Sequence, residues 1–285
     1  MKALITGANG QLGRALAACA PNQIELVGLT SAMLDIADEA AVEAAFIAHA
    51  PDLVINAAAY TKVDAAEAMS EHADRVNHIG VAHLARAAQH RAARLVHLST
   101  DFVFDGMASQ PYRPDAPTAP RNVYGATKLA GEAAAGGDAL IIRTSWLYSA
   151  YGNNFVATML RLMRERPVLR VVDDQIGSPT SAASLASAIW QLGQTDTVGI
   201  MHYSDSGVAS WYDFAVAIME EALAIGLLDR AVEIVPIPSS AYPTPARRPN
   251  FSVLDKSDTI EALGHAPPHW RASLRDVLEA IKTDG

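Results

Sequence analysis

The sequence predicts an α/β protein in which a doubly wound parallel sheet is followed by a smaller C-terminal lobe. Three observations carry this prediction: short β-rich runs alternate with alanine-rich helical stretches, the run Leu53-Val54-Ile55 is continuously apolar, and a glycine-rich turn follows the first run. Regular alternation of strands and helices favours parallel strand pairing. Continuously apolar strands are typical of a sheet that is buried on both faces.

The two halves of the chain differ in the regularity of their predicted elements. In the first half, strands are predicted at residues 2–6, 24–29, 53–57, 95–99 and 140–145, and helices at 11–20, 38–50, 64–91 and 124–135. In the second half, the patterns predict helices at 153–166, 181–192, 211–225 and 273–281, one strand at 169–172, and irregular chain through the proline-rich residues 235–249. We therefore expect residues 1–150 to form one domain, with the chain returning to it around 169–192, and residues 151–285 to form mainly the second lobe.

Composition and charge exclude several classes of protein. The 285 residues are 50% hydrophobic and 19% charged, which is enough apolar material for a large core. The net charge of −9 disfavours a nucleic-acid surface, and no apolar window of about 18 residues predicts a membrane span. Residues 1–7 do not resemble a signal peptide. The single cysteine, Cys19, cannot form an internal disulfide and is expected to be buried among alanines. These features predict a cytoplasmic protein.

The glycine-rich turn predicts a dinucleotide-binding site. Gly7, Gly10 and Gly13 lie between a predicted strand and a predicted helix. In such a turn the first glycine permits a tight bend, the second lets a pyrophosphate approach the backbone, and the third allows close helix packing. The pyrophosphate then sits at the N-terminus of the helix. The spacing G-x-x-G-x-x-G is by itself also compatible with an ordinary strand-to-helix turn, but its place on the first strand favours a Rossmann-type domain.

The end of the second predicted strand bears on cofactor choice. Thr30 and Ser31 stand where a carboxylate would accept a hydrogen bond from a ribose 2′-hydroxyl. Two hydroxyls can instead donate to a 2′-phosphate, and Arg14 can add positive charge. We therefore predict NADPH as the cofactor, and the sequence leaves acceptance of NADH open. Asp35 and Ile36 are expected to flank the adenine.

A tyrosine and a lysine at helical spacing predict acid–base chemistry. Tyr124 and Lys128 share one helix face, and a nearby ammonium is expected to lower the pKa of the phenol. Such a tyrosine can donate a proton to a carbonyl oxygen. Thr100 ends a predicted strand, at the edge where an open sheet binds its ligand, and is expected to supply a further hydroxyl. A solvated helix face is the common alternative for this spacing, but the order of glycine loop, "HLSTD" and YxxxK favours a site.

Several longer segments resemble the dTDP-4-dehydrorhamnose reductases, a family of extended short-chain dehydrogenases/reductases. They are "NAAAYTKVDAAE" (56–67), "STDFVFDG" (99–106), "NVYGATKLAGE" (122–132), "RTSWLY" (143–148), "GNNF" (152–155), "DQIGSPT" and "AYPTPARRP" (241–249), so that the resemblance covers essentially the whole chain. It implies NAD(P)H-dependent reduction of the 4-keto group of dTDP-4-dehydro-L-rhamnose to dTDP-L-rhamnose, which is the last step of dTDP-L-rhamnose biosynthesis.

The resemblance also implies roles for individual residues. Tyr124 matches the proton donor, Lys128 its ribose-binding partner, and Thr100 the hydroxyl that orients the substrate carbonyl. The implied cofactor positions are Gly7, Asn9, Gly10, Gln11, Leu12, Gly13, Ala57, Ala58, Ala59, Tyr60 and Thr61. The implied substrate positions are Val63, Thr100, Asp101, Phe102, Trp146, Asn154 and Arg248. Phe102 stands where the family often has tyrosine. Arg14-Ala15 lacks a glutamate that some members use in a magnesium-linked dimer contact, so we predict no structural metal.

A sugar nucleotide bound to an acidic protein requires local cations around its diphosphate. Arg247 and Arg248 are candidates, with Lys62 and Arg143 as others. Trp146 could stack on a sugar or a base, or belong to the core. Two alternatives to the reductase remain: a nucleotide-sugar reductase or epimerase of other specificity in the same family, and a non-catalytic dinucleotide-binding regulatory subunit. The expected partner is a small-molecule substrate, and the sequence is compatible with a homodimer.

Overall fold

The computed structural model describes residues 1–284, and a parallel sheet lies at the centre of the protein. Its strands follow the chain as β1 (Lys2–Thr6), β2 (Glu25–Leu29), β3 (Leu53–Asn56), β4 (Arg94–Thr100), β5 (Leu140–Thr144), β6 (Leu147–Tyr148), β7 (Val168–Val172), β8 (Ile176–Gly177), β9 (Thr180–Ser181), β10 (Gly199–His202), β11 (Ala209–Ser210) and β12 (Glu233–Ile237). The central sheet has the order β10-β5-β4-β3-β1-β2, and every neighbouring pair is parallel. The strand order reverses beside β1, which is where open α/β sheets bind ligands.

Helices cover both faces of this sheet. They are α1 (Gln11–Ala18), α2 (Glu39–His49), α3 (Val63–Ala66), α4 (Ser70–Asp74), α5 (Gly80–His90), α6 (Val123–Ala135), α7 (Phe155–Glu165), α8 (Ala182–Gly193), α9 (Trp211–Ala224), α10 (Ser257–Leu263) and α11 (Trp270–Asp284). In β1, Ala3 and Ile5 pack in one core cluster with α1 and α8, whereas Leu4 packs in another with α2 and α5. Successive side chains of a strand point to opposite faces, so a strand covered on both sides is apolar throughout.

The second lobe has a core of its own. Apolar side chains of α7, α9 and α11 pack together with β7, among them Leu160, Phe214 and Leu274. β12 pairs in parallel with β7, and the exposed Pro236 is accommodated because this ribbon has only two strands. β6 pairs with β9 and β8 with β11, which connects this lobe to the end of β5.

The predicted fold class is confirmed, and the structure corrects several details. The helix expected over 64–91 is divided into α3, α4, a π-helical turn at Arg75–Ile79, and α5. The prediction of irregular chain over 235–249 is wrong at the start of this range, where β12 forms. The strand β10 and the helix α10 were not predicted. Burial of Cys19 is also wrong: the cysteine is exposed because it lies just beyond the end of α1. Within residues 1–284 no helix has the length and hydropathy to cross a membrane.

Candidate active site

The glycine loop between β1 and α1 lies at the point where the strand order reverses. Gly7 has φ +68°, and a Cβ there would stand 2.8 Å from the carbonyl oxygen of Ala57. A Cβ on Gly13 would stand 2.4 Å from the carbonyl oxygen of Gly7. Gly10 is the exposed N-cap of α1, and among residues 1–284 no side chain caps this helix. The N–H groups of the first turn are therefore open to an anion.

Replacement of Gly13 by alanine is expected to damage the loop, because the new methyl group meets backbone atoms of Gly7 and Ala8 that cannot turn aside. We expect Gly13→Ala to lower the free energy of unfolding by about 1–3 kcal/mol, measured by urea denaturation, and to weaken NADPH binding. Gly137→Ala is the matched control, since a Cβ there meets no atom within 4 Å. Equal stability of the two variants would contradict this account of the loop.

Hydrogen bonds tie the glycine loop to the second lobe. Gln11 Oε1 accepts from Asn154 Nδ2 at 2.9 Å and from Ser149 Oγ at 3.1 Å. Asn154 is also the N-cap of α7. Asn154, which the resemblance assigns to the substrate, thus contacts a residue assigned to the cofactor. Leu12 is buried in the core cluster beneath the loop.

The residues expected around the adenosine end of the cofactor lie on the other side of the loop. Thr30 is half-buried directly after β2, and Asp35 is exposed, with Oδ1 accepting from the N–H of Ala37. Ile36 is only 3% exposed and packs over Gly80 of α5. Arg14, which is expected to add positive charge near a 2′-phosphate, donates to the carbonyl oxygen of Asn9. Its guanidinium lies 5.6 Å from the ring centroid of Tyr151.

A buried asparagine that no sequence pattern predicted holds the segment after β3 in place. The buried Asn77, in the π-helical turn, accepts from the N–H of Tyr60 at 2.8 Å and donates to the carbonyl oxygen of Tyr60 and to Thr127 Oγ1, both at 3.1 Å. Thr127 belongs to α6, so Asn77 joins this segment to the helix that carries Tyr124. The expected cofactor and substrate residues of this segment are partly or fully exposed: Ala57, Ala58, Ala59, Tyr60, Thr61 and Val63.

Thr100, Asp101 and Tyr124 come together at the end of β4. The Thr100 hydroxyl lies close enough to the Tyr124 hydroxyl to oppose the rise in the tyrosine pKa, and Thr100 Oγ1 donates to Asp101 Oδ1 over 3.0 Å. The ring of Phe102 stands edge-on to that of Tyr124, with centroids 5.6 Å apart. Gly125 allows α6 to begin close against this turn, because any Cβ at this position would clash with the carbonyl oxygen of Phe102.

Burial decides the protonation of these groups. It raises the pKa of Tyr124 to about 12 and lowers the pKa of Lys128 to about 8. The expected lowering of the tyrosine pKa by the lysine is therefore wrong, because desolvation of the phenol is the largest cause of its shift and the negative charge of Asp101 acts in the same direction. Lys128 Nζ donates to the carbonyl oxygen of Leu98. Burial also raises the pKa of Asp101 to about 6, although the hydroxyls of Ser252 and Thr100 oppose the rise.

Arg143 is not available to a diphosphate, which corrects its place among the phosphate candidates. Its side chain is 3% exposed, and it donates to both carboxylate oxygens of Glu132 over 2.8 and 2.7 Å. Ser99 also donates to Glu132. This buried ion pair joins α6 to β5 below the site.

A cavity of about 710 Å³ opens in the second lobe, where it is lined by residues of α7 and β7 and of the stretch 237–248, with Trp211 and Arg248 among them. Arg248 is half-buried and donates to Asp64 Oδ2 over 2.7 Å, whereas Arg247 and Lys62 are exposed.

Trp146 lies directly after β5 with φ +48°, a conformation that is strained for a bulky residue. Its ring stacks on that of Trp211, with a centroid distance of 3.5 Å and an interplanar angle of 4°. It also covers Gly177, where a Cβ would stand 2.6 Å from the Trp146 ring. The strained backbone therefore holds a flat aromatic surface against a residue of the cavity wall.

Comparison with known proteins places the whole chain in one group. The family model described as RmlD substrate binding domain matches residues 1–283. The spore coat polysaccharide biosynthesis protein SpsK of Bacillus subtilis (strain 168) is 43% identical over 282 residues, which cover 98% of this chain and 97% of that protein. The dTDP-4-dehydrorhamnose reductase of Aggregatibacter actinomycetemcomitans is 41% identical over 285 residues, covering 96% and 97%. The crystal structure of dTDP-4-dehydrorhamnose reductase from Bacillus anthracis in complex with NADP has a TM-score of 0.92 and 37% identity, and the match covers 98% of this chain and 99% of that one.

Proposed function

Because the chain belongs to the RmlD substrate binding domain family, as the resemblance predicted, we propose that it is an NADPH-dependent reductase that converts dTDP-4-dehydro-L-rhamnose to dTDP-L-rhamnose. The observation that carries the proposal is the neighbouring hydroxyls of Thr100 and Tyr124 at the carboxyl end of β4, with Lys128 one helical turn along α6 and the glycine loop at the same edge of the sheet. In this role the protein performs the last step of dTDP-L-rhamnose synthesis in the cytoplasm.

The glycine loop fits a dinucleotide. The uncapped first turn of α1 offers the N–H groups of Gln11, Leu12 and Gly13 to a pyrophosphate, and Gly10 has no side chain to obstruct its approach. Thr30 is placed to serve a 2′-phosphate, in keeping with the NADP-bound Bacillus anthracis relative. The cofactor, when bound, supplies a hydride to the keto carbon of the substrate.

Tyr124 is the proposed proton donor. A phenol with a pKa of about 12 keeps its proton throughout the neutral range, so that the proton is present when the carbonyl oxygen becomes basic. When the substrate binds, the single O–H of Thr100 turns from Asp101 Oδ1 to donate to that oxygen, which orients it beside Tyr124. Asp101 is buried, and its Oδ1 accepts from Thr100 over 3.0 Å, so that this carboxyl group holds the Thr100 hydroxyl in place before the substrate binds. Phe102 adds an apolar wall.

The cavity in the second lobe is the proposed place for the nucleotide part of the substrate. Its volume of about 710 Å³ suits a ligand of this size. Arg248 provides a cation there, and Trp211, on which Trp146 stacks, contributes an aromatic wall.

Replacement of Arg248 should weaken substrate binding more than it slows the chemical step. We expect Arg248→Met to raise the KM for the dTDP-sugar by about tenfold or more, as loss of a charge-assisted hydrogen bond predicts, while kcat changes by less than about threefold. Steady-state kinetics at saturating NADPH measure both constants. The exposed neighbour Arg247→Met is the control, and an equal rise in KM there would contradict the role of Arg248.

The proposed activity is tested by following NADPH and NADH absorbance with the dTDP-4-keto sugar generated in situ. Oxidation that depends on the sugar supports the reductase, and faster oxidation of NADPH than of NADH supports the proposed role of Thr30. No oxidation in the presence of active precursor enzymes would contradict the proposed substrate.

A further inference from the structure

A buried chain of polar side chains crosses the sheet beneath the site and ends on Lys128. Thr6 Oγ1 donates to Asn56 Oδ1 over 2.7 Å, from the end of β1 to the end of β3. Asn56 Nδ2 lies 3.0 Å from Nδ1 of His97 in β4. His97 Nε2 lies 3.4 Å from Lys128 Nζ. All four residues are at most 2% exposed, so their polar atoms must satisfy one another.

The contacts of Asn56 determine which ring nitrogen of His97 carries a proton. Asn56 Oδ1 accepts from the backbone N–H of Ala58, at 3.2 Å, as well as from Thr6. A backbone N–H can only donate, so the oxygen of the amide faces Ala58 and its nitrogen faces His97. His97 Nδ1 is therefore an acceptor, and the neutral ring carries its proton on Nε2. Burial lowers the pKa of His97 well below its usual range, so the ring is neutral.

The Nε2–H of His97 thus points at Lys128 Nζ. An ammonium has only donors, so two N–H groups would face each other there. A neutral amine has a lone pair that accepts from His97, while its own N–H donates to the carbonyl oxygen of Leu98. The geometry of this contact selects the amine.

Other titratable groups near Lys128 do not reverse this preference. Burial lowers the pKa of Lys128 to about 8, and the negative charge of Glu132, one turn along α6, opposes that shift. Glu132 is itself paired with Arg143 of β5. Tyr124, one turn earlier on α6, is a neutral phenol, because burial raises its pKa to about 12.

We propose that Asn56 and His97 are positioning residues that favour the neutral amine form of Lys128 over its ammonium form. One consequence of this inference, the uptake of a proton on cofactor binding, rests on the proposed use of NADPH. The phosphates of the cofactor favour an ammonium in the site, so NADPH binding draws a proton onto Lys128. By linkage, NADPH affinity falls as the pH rises above the pKa of the free lysine.

Calorimetric titration with NADPH in two buffers of different ionisation enthalpy counts the protons taken up. At about pH 8.5, just above the lysine pKa of about 8, we expect the wild-type protein to take up about half a proton or more. Lys128→Met should take up none. In Asn56→Asp the new carboxylate accepts from Nδ1–H of His97, so that Nε2 accepts from an ammonium. Lys128 then stays protonated without NADPH, and the uptake should be lost.

The variant His97→Leu removes the N–H that faces Lys128 and should also reduce the uptake, while His90→Leu, at an exposed histidine of α5, should leave it unchanged. Wild-type uptake near zero, or undiminished uptake in Asn56→Asp and His97→Leu, would overturn the inference. These measurements do not depend on turnover of the sugar.

A second measurement needs no cofactor. Ring ¹⁵N chemical shifts of the free protein report the proton position, and the signals lost in His97→Leu identify His97. We expect a protonated Nε2 and an unprotonated Nδ1. A proton on Nδ1 would overturn the inference whatever NADPH does, whereas failure of the wild-type protein to bind NADPH would contradict the proposed function and leave this spectrum to decide the role of His97.

Discussion

Tyr124→Phe should lower kcat by about 10²- to 10⁴-fold while the Kd for NADPH stays within about threefold of the wild-type value, since the hydroxyl donates a proton in the reaction. The half-buried ring keeps its edge-on contact with Phe102, so the fold should be unaffected. The proximity of the Tyr124 hydroxyl to that of Thr100 is what the substitution removes. Turnover assays and fluorescence titration with NADPH measure the two effects.

Tyr212→Phe provides the matched control. Tyr212 lies in α9 and packs at the edge of the second core cluster, so loss of its hydroxyl should leave kcat near the wild-type value. Similar kcat values for Tyr124→Phe and the wild type would remove Tyr124 from the mechanism. The same result would favour the alternative of a dinucleotide-binding subunit without catalysis.

The buried pair of Glu132 and Arg143 should give the largest effect on stability. Arg143→Met leaves the carboxylate of Glu132 in the core without its cation, and we expect a loss of about 3–5 kcal/mol in the free energy of unfolding. The double variant Glu132→Leu with Arg143→Met removes both charges and should recover most of that loss. Urea denaturation of the single and double variants measures the difference.

An exposed ion pair serves as the comparison. Arg161 and Glu165 pair across one turn of α7, with side chains 59% and 50% exposed, so Arg161→Met should change the free energy of unfolding by no more than about 1 kcal/mol. A loss of that small size for Arg143→Met, or no recovery in the double variant, would show that burial of the pair does not control its contribution.

Local patterns were sufficient to predict β1 to β5 of the central sheet and the helix that carries Tyr124 and Lys128. The continuous apolar run Leu53-Val54-Ile55 requires cover on both faces, and the structure provides it. The helical spacing of Tyr124 and Lys128 places both on α6, and Thr100 ends β4 beside them. These features depend on residues that are close together in the sequence, so a local sequence pattern is enough to predict them.

Properties that depend on distant partners could not be predicted from the same patterns. The sequence alone makes Arg143 a candidate phosphate ligand, but in the folded protein Glu132 of α6 pairs with it in the core. The direction of the pKa shift of Tyr124 follows from the burial of α6 against β4 and not from the spacing to Lys128. No local pattern predicts the role of Asn77, because that role depends on contacts with Tyr60 and with α6. The role of His97 likewise depends on Asn56 of β3 and Lys128 of α6.

The central claim is a reduction in which NADPH is consumed and the sugar gains a hydrogen at its keto carbon. The most direct measurement incubates the protein with NADPH deuterated at the transferred position and the dTDP-4-keto sugar, then locates the deuterium by NMR. The account predicts deuterium at C4 of a dTDP-6-deoxyhexose, with one NADP⁺ formed per product and no product from Tyr124→Phe. A rearranged sugar without deuterium and without net formation of NADP⁺ would contradict it and would indicate an epimerase.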